Sequence, residues 1–341
     1  MIDLDGLPRV AERADVDRAR FISAVQPAAH PVVMRGLVAD WPAVAWARAS
    51  LDTLHDRLLQ AATEAPVEAF FGPASMAGRF FYRDDFSGFN FERHRMPLRR
   101  FLELLRRQSQ AAETAHLYAG AVRMPECLPD LLAVHRPPLL DAAQEQLNAI
   151  WIGNRTRIGA HWDWPENLIH VIAGRRRYIL FPPDQLANLY CGPIDFTPAG
   201  QPLSLVDFHA PDFDRFPRFA EALRHAQVAE LAPGDALYVP SLWWHHAESL
   251  DDYGVMMNSW WREQPPRCLS PRTTLLHALM SLRELPAAER AAWRAFFDHY
   301  VFGDTEAAVA HLPATARGVL APFDDERASA LRKQIAQTLS W

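Results

Sequence analysis

Short apolar and aromatic stretches alternate with glycine and proline turns over residues 114–261, and this pattern leaves few folds open. A turn at Gly174-Arg175-Arg176 divides the stretch from Val171 to Phe181. Pro233-Gly234-Asp235 lies near the start of the stretch from Leu231 to Pro240. Strands separated by such turns predict a β-structure of sandwich or barrel type. The 27 prolines agree with a strand-rich and loop-rich body rather than a helical bundle.

The segments on either side of this core have helical periodicity, with apolar residues three and four positions apart. They are residues 51–62, 97–110, 271–284, 287–299 and 323–339. Pro265-Pro266 marks the change from strands to helices. We therefore expect α/β elements over residues 1–113 that pack on a barrel, a barrel core over 114–264, and a helical segment over 265–341.

Composition argues against several classes of protein. No run of about 18 apolar residues predicts a membrane span, and the first residues lack the basic and apolar regions of a signal peptide. The net charge of -6 gives no electrostatic footprint for nonspecific binding of nucleic acid. Cys127, Cys191 and Cys268 are widely spaced, without zinc-ligand spacing or a disulfide framework. These features predict a soluble, cytoplasmic protein.

One short motif points to a metal site. In His161-Trp162-Asp163 the imidazole and the carboxylate are two positions apart, so on a strand both side chains lie on one face. His245, within Trp243-Trp244-His245-His246, follows a separate turn and strand. Two histidines and one carboxylate on one side of an ion form the facial triad of non-heme Fe(II) oxygenases, which keeps other positions free.

Spacing alone leaves alternatives to this site open. With 14 histidines and 41 acidic residues in the chain, one His-x-Asp match also arises by chance as a surface pair. Either His245 or His246 could be the ligand, because only one of two adjacent strand residues faces the metal. His170, His209 and His225 have no partner at ligand spacing, so we expect core or surface positions for these three.

An arginine near the motif has two interpretations. Asn167 and Arg176 follow the His-x-Asp pair across a predicted hairpin. An arginine that faces a barrel interior is costly unless an anion pairs with it, and a dicarboxylate could supply that anion in bidentate fashion. The alternative is an exposed turn residue like its neighbours Arg175 and Arg177.

Several blocks of sequence, taken in order, resemble the Jumonji-C hydroxylases of the cupin superfamily, especially their asparaginyl hydroxylases and the bacterial cupin-like proteins. The matching blocks are Ala160–Asp163, Gly174–Arg177, Leu180–Gln185, Val206–Phe208, Arg215–Pro217, Pro233–Pro240, Trp243–Leu250 and Asn258–Trp260. The resemblance implies a mainly β fold with α, in which a double-stranded β-helix (the cupin or JmjC jelly-roll) forms the core. It also implies Fe(II) as the metal and 2-oxoglutarate as a cosubstrate.

The same resemblance implies residue roles. The metal ligands would be His161, Asp163 and His245, the first histidine of its pair. The cosubstrate would be bound by four residues, namely Tyr118, Asn167, Arg176 and Asn258. Arg176 stands where relatives have a lysine for the distal carboxylate.

Two positions depart from the family pattern. Ile158 replaces a threonine that helps to hold that carboxylate, and Thr156 lies two residues earlier. Gly120 replaces a glutamine that grips an asparagine substrate. The metal and the cosubstrate are therefore expected to carry over, and asparagine hydroxylation is not.

We therefore expect an Fe(II)- and 2-oxoglutarate-dependent dioxygenase (a hydroxylase) whose substrate is unidentified, with a protein or peptide side chain favoured over a small molecule. Ile158 and Arg176 leave open a cupin metalloenzyme that does not use 2-oxoglutarate. A metal-binding protein without activity and a tRNA or nucleoside hydroxylase are further alternatives.

The C-terminal helices carry large apolar residues, namely Leu275, Leu279, Trp293, Phe296 and Phe297. The resemblance implies that this segment forms a homodimer. The alternative is a helix pair that caps the edge of its own barrel.

Overall fold

The computed structural model describes residues 6–108, 114–263 and 268–339. Contacts divide the chain into two units, residues 1–262 and residues 263–341. The first unit contains two β-sheets with helices, and the described part of the second is helical. Within the described residues, no helix is both long enough and apolar enough to cross a membrane.

Fourteen strands are described, and all lie in the first unit. They are β1 (Ala11–Arg13), β2 (Val32–Met34), β3 (Pro66–Gly72), β4 (Arg79–Phe80), β5 (Glu92–Pro97), β6 (His116–Arg123), β7 (Gln146–Gly153), β8 (Arg157–Trp162), β9 (Glu166–Ala173), β10 (Arg176–Phe181), β11 (Gln227–Leu231), β12 (Ala236–Val239), β13 (Trp244–Ser249) and β14 (Gly254–Trp261). The larger sheet has the order β1-β2-β12-β9-β14-β7-β6-β3-β5, and the smaller one the order β11-β10-β13-β8-β4.

The α-helices are short and lie mostly before and after the main run of strands. They are α1 (Arg18–Arg20), α2 (Pro42–Ala49), α3 (Leu51–Ala61), α4 (Leu98–Gln108), α5 (Met124–Cys127), α6 (Pro129–Val134), α7 (Phe219–Arg224), α8 (Pro271–Leu282), α9 (Ala287–Phe297), α10 (Thr305–Val309) and α11 (Asp325–Thr338). Short 3-10 or π turns lie at Phe21–Val25, Ala74–Met76, Pro183–Ala187, Asp298–Phe302, Ala314–Ala316 and Gly318–Leu320.

The two sheets pack face to face through an apolar interior. Ile169 and Val239 of the larger sheet lie in one buried cluster with Tyr178 and Leu180 of the smaller sheet. Most strand pairs are antiparallel, and β1–β2 and β4–β8 are parallel. Two facing sheets of alternating in–out strands form a jelly-roll core with added helices. The predicted mainly β fold class is therefore confirmed.

Helices and a long loop cover the outer faces of both sheets. Helix α4 buries Leu98, Phe101, Leu102 and Leu105, three and four positions apart, in a cluster with residues of β3, β6 and β7. On the smaller sheet, Phe219 of α7 packs in a second cluster with residues of β10 and β13. Burial on both faces of the sheets explains why several central strands are apolar throughout.

Candidate metal centre

The three predicted metal ligands converge in the space between the two sheets. His161 on β8 pairs directly across from His245 on β13, and their ring centres are 4.3 Å apart. Asp163 follows β8 and places its Oδ2 3.6 Å from Nε2 of His245. One ligand atom from each of the three residues lies within 4.8 Å of the others. Ligands of a single ion need about this spacing, since each bond to the metal is roughly 2 Å long.

Backbone carbonyls orient both imidazoles. Nδ1 of His161 donates to the carbonyl of Gly159 at 2.9 Å, and Nδ1 of His245 donates to that of Trp243 at 3.1 Å. With Nδ1 protonated, Nε2 of each ring presents a lone pair to a metal. Burial and the neighbouring His161 lower the pKa of His245 to about 4, so this ring is neutral at neutral pH, as a ligand must be.

Three side chains hold the carboxylate of Asp163. Asn167 Nδ2 and Trp260 Nε1 each donate to Oδ2 at 3.0 Å, and Gln201 Nε2 donates to Oδ1 at 3.3 Å. Asn167 was among the predicted cosubstrate residues, whereas no role was predicted for Trp260 or Gln201. Gln201 comes from a loop 38 positions away from Asp163, so no local spacing marks it.

The two predicted asparagines are linked to each other. Asn258 on β14 donates through Nδ2 to Oδ1 of Asn167 at 3.2 Å. Trp151 on β7 donates its indole N–H to Oδ1 of Asn258 at 2.6 Å. This chain of hydrogen bonds runs along the larger sheet to Asp163, so it fixes the amide orientations beside the metal ligands.

Arg176 is buried on the inner face of β10 and lies opposite Ser249 of β13. Its Nε and the hydroxyl of Ser249 are both buried without a hydrogen-bond partner. Among the described residues, no carboxylate forms an ion pair with Arg176. Burial raises the pKa of Tyr118 and of Tyr178, and the nearby Arg176 guanidinium partly offsets this rise. A buried cation with orphaned donors around it is a site for an anion.

The adjacent arginine has a different environment. Arg175 lies on the turn between β9 and β10, two-thirds exposed, and its Nη2 donates to Asp251 at 2.8 Å. Arg176 is 3% exposed. The hairpin thus directs one arginine to solvent and the next to the interior.

The contacts of Ile158 and Gly120, the two departures from the expected family pattern, are defined by neighbouring aromatic rings. Ile158 packs with the aromatic rings of Phe80 and Tyr118, and the carbonyl of Thr156 accepts the Ser249 N–H at 2.8 Å. A Cβ at Gly120 would lie 2.9 Å from the Trp151 ring. A glutamine there would require that ring to move, so the packing of Trp151 favours glycine at this position.

A second group of polar residues lies on the other face of β13. His246 Nε2 is 2.9 Å from Oε1 of Glu248, and His209 Nε2 is 2.5 Å from the same oxygen. Burial would raise the pKa of Glu248, but the hydrogen bonds from His246 and His209 lower it to about 2. His209 has no ligand-type partner close to it in the sequence, and the fold brings it beside Glu248, 39 positions away.

Comparisons with known proteins agree with this architecture. A profile of the family described as "Cupin-like domain" matches residues 18–267. HSPB1-associated protein 1 from Homo sapiens is 38% identical over 120 residues, which are 34% of this chain and 23% of that protein. tRNA wybutosine-synthesizing protein 5 from Gallus gallus is 29% identical over 149 residues, 39% of this chain and 44% of that protein. Lysine-specific demethylase JMJ31 from Arabidopsis thaliana is 31% identical over 130 residues, 38% of this chain and 23% of that protein. The chain thus spans less than half the length of each of these relatives.

Proposed function

Because the chain belongs to the cupin-like domain family, we propose that it is an Fe(II)- and 2-oxoglutarate-dependent dioxygenase that hydroxylates its substrate. The predicted family resemblance is confirmed, and the JmjC-type relatives support an oxygenase or hydroxylase. One observation carries the proposal. A triad of two imidazoles and a carboxylate shares the interior of the jelly roll with a buried arginine that has no carboxylate partner among the described residues.

The donor set fits Fe(II). His161, Asp163 and His245 would hold the ion from one side, and the remaining positions would be free for a cosubstrate and dioxygen. When bound, the iron would supply the oxidation chemistry in which 2-oxoglutarate, dioxygen and a C–H group give succinate, carbon dioxide and a C–OH group. The backbone carbonyls behind both histidines and the three donors to Asp163 would keep the ligands oriented.

The surroundings of Arg176 would suit the distal carboxylate of 2-oxoglutarate. The guanidinium would supply the charge, and the orphaned hydroxyl of Ser249 directly across the ladder would supply a hydrogen bond. Ser249 would thereby provide the hydroxyl that Ile158 lacks. Tyr118 would border the same pocket, while Asn167 and Asn258 would lie at the metal-binding end of the cosubstrate.

For the substrate we propose a peptide or protein side chain. Gln201, a half-buried amide beside Asp163, is able to hydrogen-bond a peptide group near the metal. The net charge of -6 disfavours RNA, although one relative is named for tRNA modification. Incubation with a peptide library and, separately, with tRNA tests this proposal. Mass spectrometry should detect an added oxygen atom only in the true substrate class, and only that class should stimulate the release of succinate.

The 2-oxoglutarate proposal is tested by the visible metal-to-ligand charge-transfer band of the anaerobic Fe(II) protein. The wild type should develop the band on addition of 2-oxoglutarate, and Asp163→Ala should abolish it. Arg176→Ala should weaken 2-oxoglutarate binding by roughly 10- to 100-fold, the value of a hydrogen-bonded charge. Arg175→Ala is the matched control and should bind as the wild type does, because Arg175 faces solvent.

A different result would redirect the search. If the wild type binds iron but forms no band at millimolar 2-oxoglutarate, the cosubstrate assignment is wrong. The chain would then be a cupin metalloenzyme of another type. If Arg175→Ala and Arg176→Ala weaken binding equally, the pocket does not hold the carboxylate.

A further inference from the structure

The outer face of β13 carries a second set of metal-ligand side chains, behind the triad. His246 and Glu248 are two positions apart on this strand. His161 and Asp163 have the same spacing in the sequence. Because side chains alternate along a strand, they point away from His245 and the interior. His209 reaches them from the loop between β10 and β11.

We propose that His209, His246 and Glu248 form a second metal site, which takes a divalent transition-metal ion of the zinc type. Both imidazoles present Nε2 to one oxygen, Oε1 of Glu248, at 2.5 and 2.9 Å. The three ligand atoms lie within 4.8 Å of one another. Tetrahedral ligands with bonds of about 2.1 Å are roughly 3.4 Å apart, so the two nitrogens need to move from the oxygen by less than about 1 Å.

The loop that carries His209 is anchored at three successive residues. Asp207 forms ion pairs with Arg79 and Arg157 at 3.6 and 3.9 Å, and its Oδ1 accepts the His209 N–H at 2.9 Å. Phe208 is buried against the ring of His246, with centroids 4.8 Å apart. The third ligand is therefore positioned before any metal binds, which lowers the entropic cost of closing the site.

The charges around the group favour a cation beside the shared oxygen, where an ion would replace the protons of the two imidazole N–H donors. Arg177 approaches the other oxygen of Glu248 at 3.8 Å, but it donates two hydrogen bonds to Glu230 at 3.0 and 2.8 Å. Glu248 is almost fully buried, whereas the side chain of His209 is 40% exposed. The exposed side gives an ion access and leaves room for water as a fourth ligand, and two imidazoles with a carboxylate are ligands that Zn²⁺ accepts.

The test measures Zn²⁺ binding to the full chain after the first site has been removed. His161→Ala/Asp163→Ala takes away two of the three ligands of the triad. We expect this protein to bind one equivalent of Zn²⁺ in equilibrium dialysis, and to give a visible absorption band with Co²⁺. Adding His209→Gln should weaken Zn²⁺ binding at least roughly tenfold, because a ligand is lost.

A matched control variant distinguishes the loss of a metal ligand from a general effect of replacing a histidine. His225→Gln also replaces a histidine that contacts a glutamate, Glu221 at 3.3 Å, and should leave Zn²⁺ binding unchanged. Glu248→Gln should act like His209→Gln. The proposal is overturned if the double variant binds no equivalent of Zn²⁺, or if its Zn²⁺ binding survives His209→Gln. The 2-oxoglutarate band depends on the other site, so the two proposals fail independently.

Discussion

At the scale of single residues, the proposed anion site depends on which side chains face each other across a ladder. Arg176 and Ser249 are far apart in sequence, yet they are direct partners between β10 and β13. The pairing brings an orphaned hydroxyl to a buried guanidinium. In the proposed cosubstrate site, this hydroxyl would compensate for Ile158, whose side chain has no donor.

This pairing makes Ser249→Ala the most direct test of the pocket. If Ser249 donates to the distal carboxylate, its loss should weaken 2-oxoglutarate binding by about tenfold and leave iron binding unchanged. Titration of the charge-transfer band measures both. Ser259→Ala is the control, because that hydroxyl already donates to Asn148 at 2.7 Å. Unaltered affinity in Ser249→Ala would mean that the hydroxyl does not contact the cosubstrate.

A buried histidine outside the site should contribute to the loss of stability in acid. His170 lies on the opposite face of β9 from Asn167, packed 4.9 Å from the ring of Trp41. Burial lowers its pKa from 6.5 to about 3. The unfolded chain therefore takes up a proton first as the pH falls below 6.5, so the native state loses stability between that pH and about 3.

The corresponding variant is His170→Leu. At pH 5 the loss due to His170 should reach roughly 2 kcal/mol relative to pH 7, and the variant should lack it. Urea unfolding at both pH values measures the difference. His94→Leu, at a half-exposed position, should keep the acid sensitivity of the wild type. Equal losses for the wild type and His170→Leu would show that His170 does not titrate in this range.

At the scale of elements, one hairpin carries residues of both halves of the site. Asn167 is the second residue of β9. Arg176 is the first residue of β10, after the turn at Gly174. Gly174 has φ +72°, and a Cβ there would lie 2.6 Å from the carbonyl oxygen of Tyr253. Glycine is thus required both by the backbone angle and by the close approach of the backbone just before β14.

Gly174→Ala should therefore destabilise the fold by roughly 2 kcal/mol or more in total. This exceeds the cost of the backbone angle alone, because the added Cβ also clashes with the Tyr253 carbonyl. Gly200→Ala separates the two effects, because Gly200 has φ +99° and no atom within 4 Å of an added Cβ. Gly200→Ala should lower the free energy of unfolding by only about 1 kcal/mol, the cost of the backbone angle. Denaturant unfolding compares them. Equal losses would mean that the Tyr253 carbonyl moves aside freely.

The sequence predicted those elements whose signal is local. Helix α3 and helix α4 followed from apolar spacing, and the β9–β10 hairpin followed from its glycine turn. His161 and Asp163 were recognisable as candidate ligands because they are only two positions apart in the sequence. Gln201 and His209 were not, since each comes from a loop whose position depends on long-range packing. Strand register, which places Ser249 beside Arg176, is equally nonlocal.

At the scale of the whole molecule, the two units differ in how far their large apolar side chains are buried. In the described residues 268–339, large apolar side chains are mostly exposed, and the buried residues of the helices are small or medium in size, namely Ala308, Val309 and Ala328. Trp293, Phe296 and Tyr300 form a continuous stripe, with ring centres 5.5 and 6.3 Å apart. Exposed aromatic stripes of this kind are typical of protein interfaces. Because the family resemblance implies a homodimer through this segment, we propose that a second copy of this chain covers the stripe.

The wild type should then sediment as a dimer at micromolar concentration, and Trp293→Ser/Phe296→Ser should sediment as a monomer. The double variant removes two aromatic anchors of the kind that dominate interface energies, each worth roughly 2 kcal/mol or more. Arg294→Ser changes an 84%-exposed residue of the same helix and should remain dimeric. Because the predicted metal ligands lie in the other unit, the monomeric variant should retain the 2-oxoglutarate band. A wild type that sediments as a monomer across this range would refute the dimer, and the stripe would then need a different partner.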